Sequence, residues 1–196
     1  TYVQLLSAYS SVGKLLKKKK FVTGKNIEKA WTSKLDDLKT LDMLSGFGLN
    51  IGIDCAASSL WDRKTKKYVY KKSKKTMSTG EQLEFLLDLV KTYKLSYLED
   101  PFHEDDFDSF SELTKKIGKK CLVVGDDLYC TNSSRLIEGV KKKSTNGVII
   151  KPNQVGTLSK TMETVNIAKS NRMFTMGSHR SGETKDDWLA DLSVAF

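Results

Sequence analysis

The stretch LSYLEDPFHEDDFDSFSELTKKIGKKCLVVGDD (residues 95–127) decides the fold, because a segment with helical periodicity separates two short apolar runs. The runs, LSYLED and CLVVGDD, do not alternate between apolar and polar residues, and each ends in acidic residues. Strands of this kind are buried on both faces, and strands joined through a helix pair in parallel. The stretch therefore predicts one β/α unit with carboxylates at the carboxyl ends of its strands.

The same unit recurs on both sides of this stretch. Further apolar runs occupy residues 49–54, 147–151 and 172–179. Helical segments follow or precede these runs, several of them opened by Ser, Thr or Asp in a capping position, at residues 78–94, 105–118, 131–143, 156–171 and 183–196. We predict an α/β fold with five strand-helix units over residues 49–196. A closed barrel needs eight strands, so we expect a partial (β/α)8 barrel of the TIM type.

The remaining segments fit around these units. Residues 1–48 begin with a predicted amphipathic helix and add one possible strand and loop at residues 21–31, which indicates a divergent early barrel segment. An insertion at residues 61–77 contains YVY and predicts a small, peripheral hairpin. We therefore expect one domain over residues 1–196 that is truncated at both ends.

Composition restricts the class of protein. The chain has 196 residues, of which 39% are hydrophobic, enough for an ordinary packed core. No apolar stretch reaches the length of about 18 to 20 residues that a membrane span needs, and the charge of the first residues follows their apolar part, the reverse of a secretory signal. We expect a soluble, cytoplasmic protein whose three cysteines, without metal-ligand spacing, are reduced packing residues.

A net charge of +9 raises the question of polyanion binding. The lysines gather at residues 14–20, 63–75, 115–120 and 141–143, which are predicted helix ends and a loop. They do not form one stripe with interleaved aromatic residues, the pattern of a nucleic-acid interface. We therefore expect solvated surfaces and no nucleic-acid partner, and an incidental polyanion-binding surface is the alternative.

The strand ends carry the candidate chemistry. Asp54, Glu99, Asp126 and Lys151 each end a predicted strand, and in a β/α barrel such residues converge on one mouth. One acidic residue at a strand end is more often a helix cap, and one lysine before a proline is more often exposed. Three carboxylates together require a cation, and oxygen ligands favour Mg²⁺. A lysine beside such a centre can lose its proton and act as a base.

The stretch SHRSGET (residues 178–184) follows the last predicted strand. As a glycine turn with a helix cap it needs no further role, but its arginine and serines also suit a phosphate group. We interpret His103 as structural or facing solvent. Asp100 and Asp127, each next to a candidate ligand, point away or orient that ligand.

The motifs IGIDCAASSLWD, YLEDPFHEDDF, VGDDLYCTN, IIKPNQVGTLSKT and GSHRSGETKDDWLADL, in this order, resemble the consecutive signatures of the enolase family over residues 49–196. The resemblance implies a glycolytic lyase that uses Mg²⁺ to convert 2-phosphoglycerate to phosphoenolpyruvate. It also implies a homodimer in the complete protein and an N-terminal capping domain, which is absent from these residues. By motif position, the implied metal ligands are Asp54, Glu99 and Asp126, the implied base is Lys151, and the implied substrate contacts are Glu99, Asp126, Ser178, His179, Arg180 and Ser181.

The resemblance also implies an acid, for which Glu28 is the candidate. Here Ile27 and Lys29 replace the aspartate and glycine expected beside it, and we expect a side chain at a glycine position to strain the backbone. Two alternatives remain. A truncated or degenerate enolase relative would bind polyanions without catalysis. A related enzyme that acts on acid sugars or muconate would lack the phosphate-binding residues at positions 178–184.

Overall fold

The computed structural model describes residues 2–182 and 184–195. Glu183 and Phe196, both placed by the sequence in the last helical segment, lie outside the described residues. Across the described ranges, no helix combines the length and the apolar character needed to cross a lipid bilayer.

The centre of the fold is a parallel sheet of five strands whose spatial order follows the chain. From one edge to the other, the strands are β3 (Gly52–Asp54), β7 (Tyr97–Glu99), β8 (Leu122–Gly125), β9 (Gly147–Ile150) and β10 (Phe174–Gly177). Each coincides with one of the five apolar runs. Sequential parallel order is the arrangement of a β/α barrel, and among the described residues the sheet stays open. The predicted partial barrel is confirmed.

Helices follow the strands and cover one face of the sheet. They are α3 (Thr79–Tyr93), α4 (Phe107–Ile117), α5 (Ser133–Lys142), α6 (Pro152–Val155), α7 (Leu158–Ser170) and α8 (Trp188–Ala195). Side chains that accept hydrogen bonds from first-turn amides cap four of them, namely Ser78, Asp106, Asn132 and Thr157. Capping side chains thus set where these helices begin, and three of the four are of the predicted Ser, Thr or Asp type, whereas Asn132 was not predicted. The short helix α6 was not expected from the sequence.

The two faces of the sheet differ in burial because side chains alternate along each strand. The outer face carries Leu98, Val123, Val148 and Ile150, all with 0% exposure. They pack in a core with helix residues that include Leu86, Phe110, Leu113, Leu136 and Val165. The inner face is more open, and Phe174 at its edge is 51% exposed. Burial against the helices therefore fixes which residues point toward the inner face and the mouth.

The N-terminal segment forms a further layer, which joins the main core through Leu41. It contains α1 (Tyr2–Lys18), an antiparallel hairpin of β1 (Val22–Lys25) and β2 (Trp31–Ser33), and α2 (Asp37–Ser45). The predicted amphipathic helix is present. The sequence predicted one strand and a loop where the structure has a hairpin, and it did not predict α2.

The insertion is larger in structure than the small hairpin we expected. It forms a three-stranded antiparallel sheet of β4 (Trp61–Asp62), β5 (Lys67–Tyr70) and β6 (Lys75–Met77). Tyr68, on β5, has 0% exposure and contacts the edge of Phe102. The insertion is therefore packed into the main core rather than peripheral.

Candidate metal centre and substrate site

Sheet register places the candidate residues on one face. Asp54 and Glu99 are direct partners across β3 and β7, and Glu99 pairs with Val124 on β8. Asp126 follows Val124 by two residues, so strand alternation directs it to the same face. On the next strands, Ile149 pairs with Met176, and Lys151 and Ser178 follow them by two residues. The four predicted strand-end residues, together with Ser178, thus share the inner face at the carboxyl ends of the strands.

Two groups of carboxylates form at these ends. Asp54, Glu99 and Asp100 offer oxygen atoms that all lie within 4.8 Å of one another, and so do Asp100, Asp126 and Asp127. The expected trio of Asp54, Glu99 and Asp126 is therefore spread over two groups that meet at Asp100. Each group draws oxygen ligands from two adjacent strand ends, and together they span three successive strand ends.

Asp100 connects the groups through the backbone. Its side chain is 3% exposed, and its carboxylate accepts hydrogen bonds from the amides of Asp126 (3.0 Å) and Asp127 (2.8 Å). Asp100 itself adopts a left-handed backbone conformation, with φ of 41°. The residue therefore holds the end of β8 against the end of β7, which agrees with an orienting role.

Lys151 meets Asp126 directly. The Nζ of Lys151 donates a hydrogen bond to Oδ2 of Asp126, and both side chains are largely buried. Gln154 donates to the other oxygen of Asp126 over 3.4 Å, and it accepts a hydrogen bond of 2.7 Å from Thr131. Thr131 also accepts a 2.8 Å hydrogen bond from the backbone amide of Lys151. One network therefore orients the candidate base and one candidate ligand together.

Burial and mutual repulsion make the charged forms of these carboxylates less favourable. Burial raises the pKa of Asp54, and the nearby Asp126 and Glu28 carboxylates add to the increase. Burial, with the charges of Asp54 and Asp126, also raises the pKa of Glu99, although the Tyr97 hydroxyl donates to it. Burial raises the pKa of Asp100 to about 7, against the lowering effect of its two amide donors. This mouth therefore carries concentrated and incompletely compensated negative charge.

This charge distribution fits a divalent cation. Carboxylate oxygens are the preferred ligands of Mg²⁺ and Ca²⁺, whereas zinc sites usually include Cys or His. A cation would offset the mutual repulsion that raises the pKa of Asp54 and Glu99. The residues present therefore fit a hard divalent metal ion.

The candidate phosphate residues lie in the loop after β10. The Ser178 amide donates to the Ile150 carbonyl over 3.0 Å, which places the loop beside Lys151. His179 and Arg180 are exposed, and the His179 Nδ1 lies 3.0 Å from the Arg180 carbonyl oxygen. These residues line a groove of about 400 Å³ that also includes Ser181 and Glu28.

Glu28 reaches this groove from the N-terminal layer. The Ser181 hydroxyl donates to Oε1 of Glu28 over 2.6 Å, although 153 positions separate the two residues. The Glu28 carboxylate also adds to the raised pKa of Asp54, as described above. Lys29 adopts φ of 67°, a left-handed conformation. This agrees with the strain expected where a side chain replaces a glycine.

Sequence reasoning missed three residues of the site. Tyr97 donates to Glu99 from within the same strand, while Gln154 and Thr131 support Asp126 and Lys151. Strand alternation was a usable signal for Tyr97, since it lies two residues before Glu99. His103, in contrast, stacks on Trp61 with ring centroids 4.5 Å apart, as expected for a structural residue.

Comparisons with known proteins identify the family of this chain. The family described as "Enolase, C-terminal TIM barrel domain" matches residues 39–196. The chain is similar to the enolase of Methanosphaera stadtmanae, with 42% identity over 190 residues that cover 92% of this chain and 46% of that protein. It is also similar to the enolase of Thermoplasma acidophilum, with 42% identity over 207 residues that cover 100% of this chain and 50% of that protein.

A third relative gives the same picture. The enolase of Methanothermobacter thermautotrophicus is 40% identical over 202 residues, which cover 97% of this chain and 49% of that protein. The chain thus spans about half the length of the curated relatives it matches. Since the family match extends over most of its residues, this chain belongs to the enolase family, within the region that forms the C-terminal TIM barrel domain.

Proposed function

We propose that this chain supplies the barrel side of an enolase active site, which removes water from 2-phosphoglycerate to give phosphoenolpyruvate with Mg²⁺ as cofactor. One observation carries the proposal. Lys151 is bonded to Asp126, in a mouth where the carboxylates of Asp54, Glu99 and Asp100 lie within reach of one cation. A base beside a cation is what the removal of a weakly acidic proton next to a carboxylate requires.

In this proposal Lys151 accepts the proton from the carbon next to the substrate carboxylate. The neutral amine is the accepting form, and it becomes an ammonium when the carbon–hydrogen bond breaks. Asp126 and the Thr131 hydroxyl hold Lys151 at its side chain and its backbone. The candidate base therefore has little freedom to leave the mouth.

Glu28 supplies the second proton transfer. As the hydroxyl group leaves the neighbouring carbon, Glu28 donates a proton to it, and water departs. The electron pair released at the first carbon forms the new double bond. Ser178, His179, Arg180 and Ser181 bind the phosphate side of the substrate in this proposal. The groove that His179, Arg180 and Ser181 share with Glu28 supports the placement of these three residues.

The metal ligands in this proposal are Asp54, Glu99 and Asp126. Asp100 lies beside Asp54 and Glu99 and orients Asp126 by accepting a hydrogen bond from the Asp126 amide. When bound, Mg²⁺ would stabilise negative charge on the substrate carboxylate. The cytoplasmic location, the homodimer and the division between residues 1–48 and 49–196 stay predictions.

An ultraviolet assay of phosphoenolpyruvate formation tests the proposal, on this chain and on a version extended by the capping region of a relative. We expect Mg²⁺-dependent turnover in the extended protein and a loss of about 10³-fold for Lys151→Ala, the scale of a positioned base. Lys160→Ala, an exposed lysine on α7, is the matched control and should keep full activity.

Unchanged turnover in Lys151→Ala would contradict the assigned base. Turnover without added Mg²⁺, after chelation of residual metal, would contradict the assigned cofactor. Activity on an unphosphorylated acid alone would favour a different enzyme of the same barrel type.

A further inference from the structure

A strongly basic surface lies in the N-terminal layer, built from α1 and the β1–β2 hairpin. Residues 1–34 contain eight lysines and one acidic residue, Glu28. All eight lysines are exposed. Within the part of the chain that the structure describes, none of them pairs with a carboxylate. This segment therefore presents positive charge that the fold itself does not compensate.

Two of these lysines converge on an aromatic pair. The rings of Tyr9 and Trp31 stack with centroids 5.6 Å apart and an interplanar angle of 30°. The Lys25 Nζ lies 4.3 Å from the Trp31 ring centroid and 5.0 Å from that of Tyr9, and the Lys17 Nζ lies 5.3 Å from Trp31. Tyr9, Lys17, Lys25 and Trp31 form what we call the lysine–aromatic cluster. The sequence did not predict this interleaving, because the four residues come from three elements.

The rings of the cluster are fixed before any ligand arrives. The indole N–H of Trp31 donates to the Tyr9 carbonyl over 3.0 Å, and the Tyr9 hydroxyl donates to the Lys29 carbonyl over 2.6 Å. A Cβ atom added at Gly13 would lie 2.3 Å from the indole, so the ring rests on the helix backbone. Binding on these rings therefore costs little ordering of the protein.

Space is available beside the rings. Tyr9 and Trp31 line a groove of about 540 Å³, whose other walls include the apolar residues Ala8, Val12 and Leu16. Tyr9 itself is 37% exposed. The cluster thus combines charged groups with aromatic faces and an adjoining apolar groove.

We propose that the lysine–aromatic cluster binds single-stranded nucleic acid, with phosphates on Lys17 and Lys25 and a base stacked against Tyr9, the exposed ring of the pair. Lysines that track a phosphate backbone, together with aromatic side chains, are the recurring elements of such sites. A duplex keeps its base faces stacked internally, so it cannot use the rings. An inorganic polyphosphate would use the lysines alone. The proposal does not rest on the enolase chemistry, although Glu28, the candidate acid, also lines this groove.

Fluorescence anisotropy with a labelled oligouridylate tests the proposal on the whole chain. The test variant is Lys17→Gln/Lys25→Gln, and the matched control is Lys115→Gln/Lys119→Gln, which removes the same charge from another exposed lysine group. We expect the test variant to bind about tenfold more weakly at moderate salt. The slope of log affinity against log salt should fall in magnitude by about 1.4, since each phosphate contact on a single strand contributes about 0.7. The control should stay within about twofold.

A second variant separates stacking from charge. Tyr9→Leu keeps every lysine, and we expect about tenfold weaker binding of oligouridylate with the salt slope unchanged. Far-ultraviolet circular dichroism and the melting temperature check that each variant is folded. Inorganic polyphosphate should bind wild type and Tyr9→Leu equally.

Three outcomes would overturn the proposal. Equal losses in the test and control pairs would mean that only overall charge matters. If Tyr9→Leu had no effect on binding, the surface would bind anions through its lysines alone. Tighter binding to phosphatidylserine vesicles than to oligouridylate, through the exposed apolar side chains Tyr2, Val3, Leu5 and Leu6, would make it a membrane surface.

Discussion

Individual side chains in the mouth act through a few direct hydrogen bonds. Asp100 accepts from two amides at the end of β8, and Gln154 touches both Asp126 and Thr131. Neither residue needs to contact a substrate in order to matter, because each orients Asp126, a proposed metal ligand. Residues that orient metal ligands typically change metal affinity by about 10- to 100-fold when they are replaced.

Gln154→Leu tests whether Gln154 orients Asp126. The substitution removes one hydrogen bond to Asp126 and one from Thr131, so we expect Mg²⁺ affinity to fall by about tenfold in isothermal titration calorimetry. Asn153→Leu on the same short helix is the control, because Asn153 is exposed, and it should bind Mg²⁺ normally. Equal Mg²⁺ affinities in the two variants would show that Gln154 does not orient Asp126.

Sequence reasoning finds some of these residues and not others for a physical reason. Asp54, Glu99, Asp126 and Lys151 each end an apolar run, so strand position alone indicates them. Gln154 and Thr131 lie in connecting segments, and their contact spans 23 positions. Thr131 also adopts φ of 54°, a conformation that no local residue pattern indicates for a threonine. Their roles depend on chain packing.

Some helices and strands were likewise predicted from the sequence, and others were missed. The five strands of the sheet and the helices that cover it, except α6, were predicted because the strands are unbroken apolar runs and the helices have helical periodicity, several with caps. Helix α2 was missed, since it buries only Leu41 and so has a weak apolar stripe. The β1–β2 hairpin was reduced to one strand because its strands have four and three residues and none of those residues is fully buried.

Helix α5 packs closely against Tyr129 at Gly139, which gives a prediction about stability. A Cβ atom on Gly139 would lie 2.3 Å from the Tyr129 hydroxyl oxygen, and Tyr129 is fully buried and bonded to Thr145 over 2.8 Å. We expect Gly139→Ala to lower the free energy of unfolding by about 1 to 3 kcal/mol, because overpacking outweighs the gain in helix propensity of up to about 1 kcal/mol.

Gly80→Ala on α3 is the matched control for that substitution. No atom lies within 4 Å of the added Cβ at Gly80, so the change should be neutral or stabilising by about 0.5 kcal/mol. Urea denaturation measures both. A Gly139→Ala variant as stable as Gly80→Ala would mean that Tyr129 can move away at no cost.

For the whole molecule, the acidic mouth links stability to pH. Burial and neighbouring carboxylates raise the pKa of Asp54, Glu99 and Asp100 above the values of an unfolded chain, near 4. Without a cation, the folded protein therefore holds more protons than the unfolded chain between about pH 4 and pH 7. The contribution to stability is complete below about pH 4 and is lost as pH rises through about 7.

Mg²⁺ should reverse this trend, since it binds the deprotonated carboxylates and competes with protons. At a Mg²⁺ concentration 100 times its dissociation constant, we expect stabilisation of about 2.7 kcal/mol at pH 7.5 and under about 1 kcal/mol at pH 5. Thermal unfolding with and without Mg²⁺ at both pH values measures it. Asp54→Asn/Glu99→Gln is the control and should lose most of the pH 7.5 gain. A gain as large at pH 5 would contradict a site made of these carboxylates.

The pairing of Asp54 with Glu99 across β3 and β7 has a consequence for how this site tolerates change. Backbone hydrogen bonds between the strands keep the two side chains on the same face of the sheet. Deleting one residue inside either strand would therefore exchange its inward-facing and outward-facing positions. A carboxylate would then enter the apolar layer beneath the helices, and a leucine or isoleucine would face the mouth. Such a deletion would impair both folding and the proposed metal binding. An added residue in the loop at residues 63–66 would affect neither.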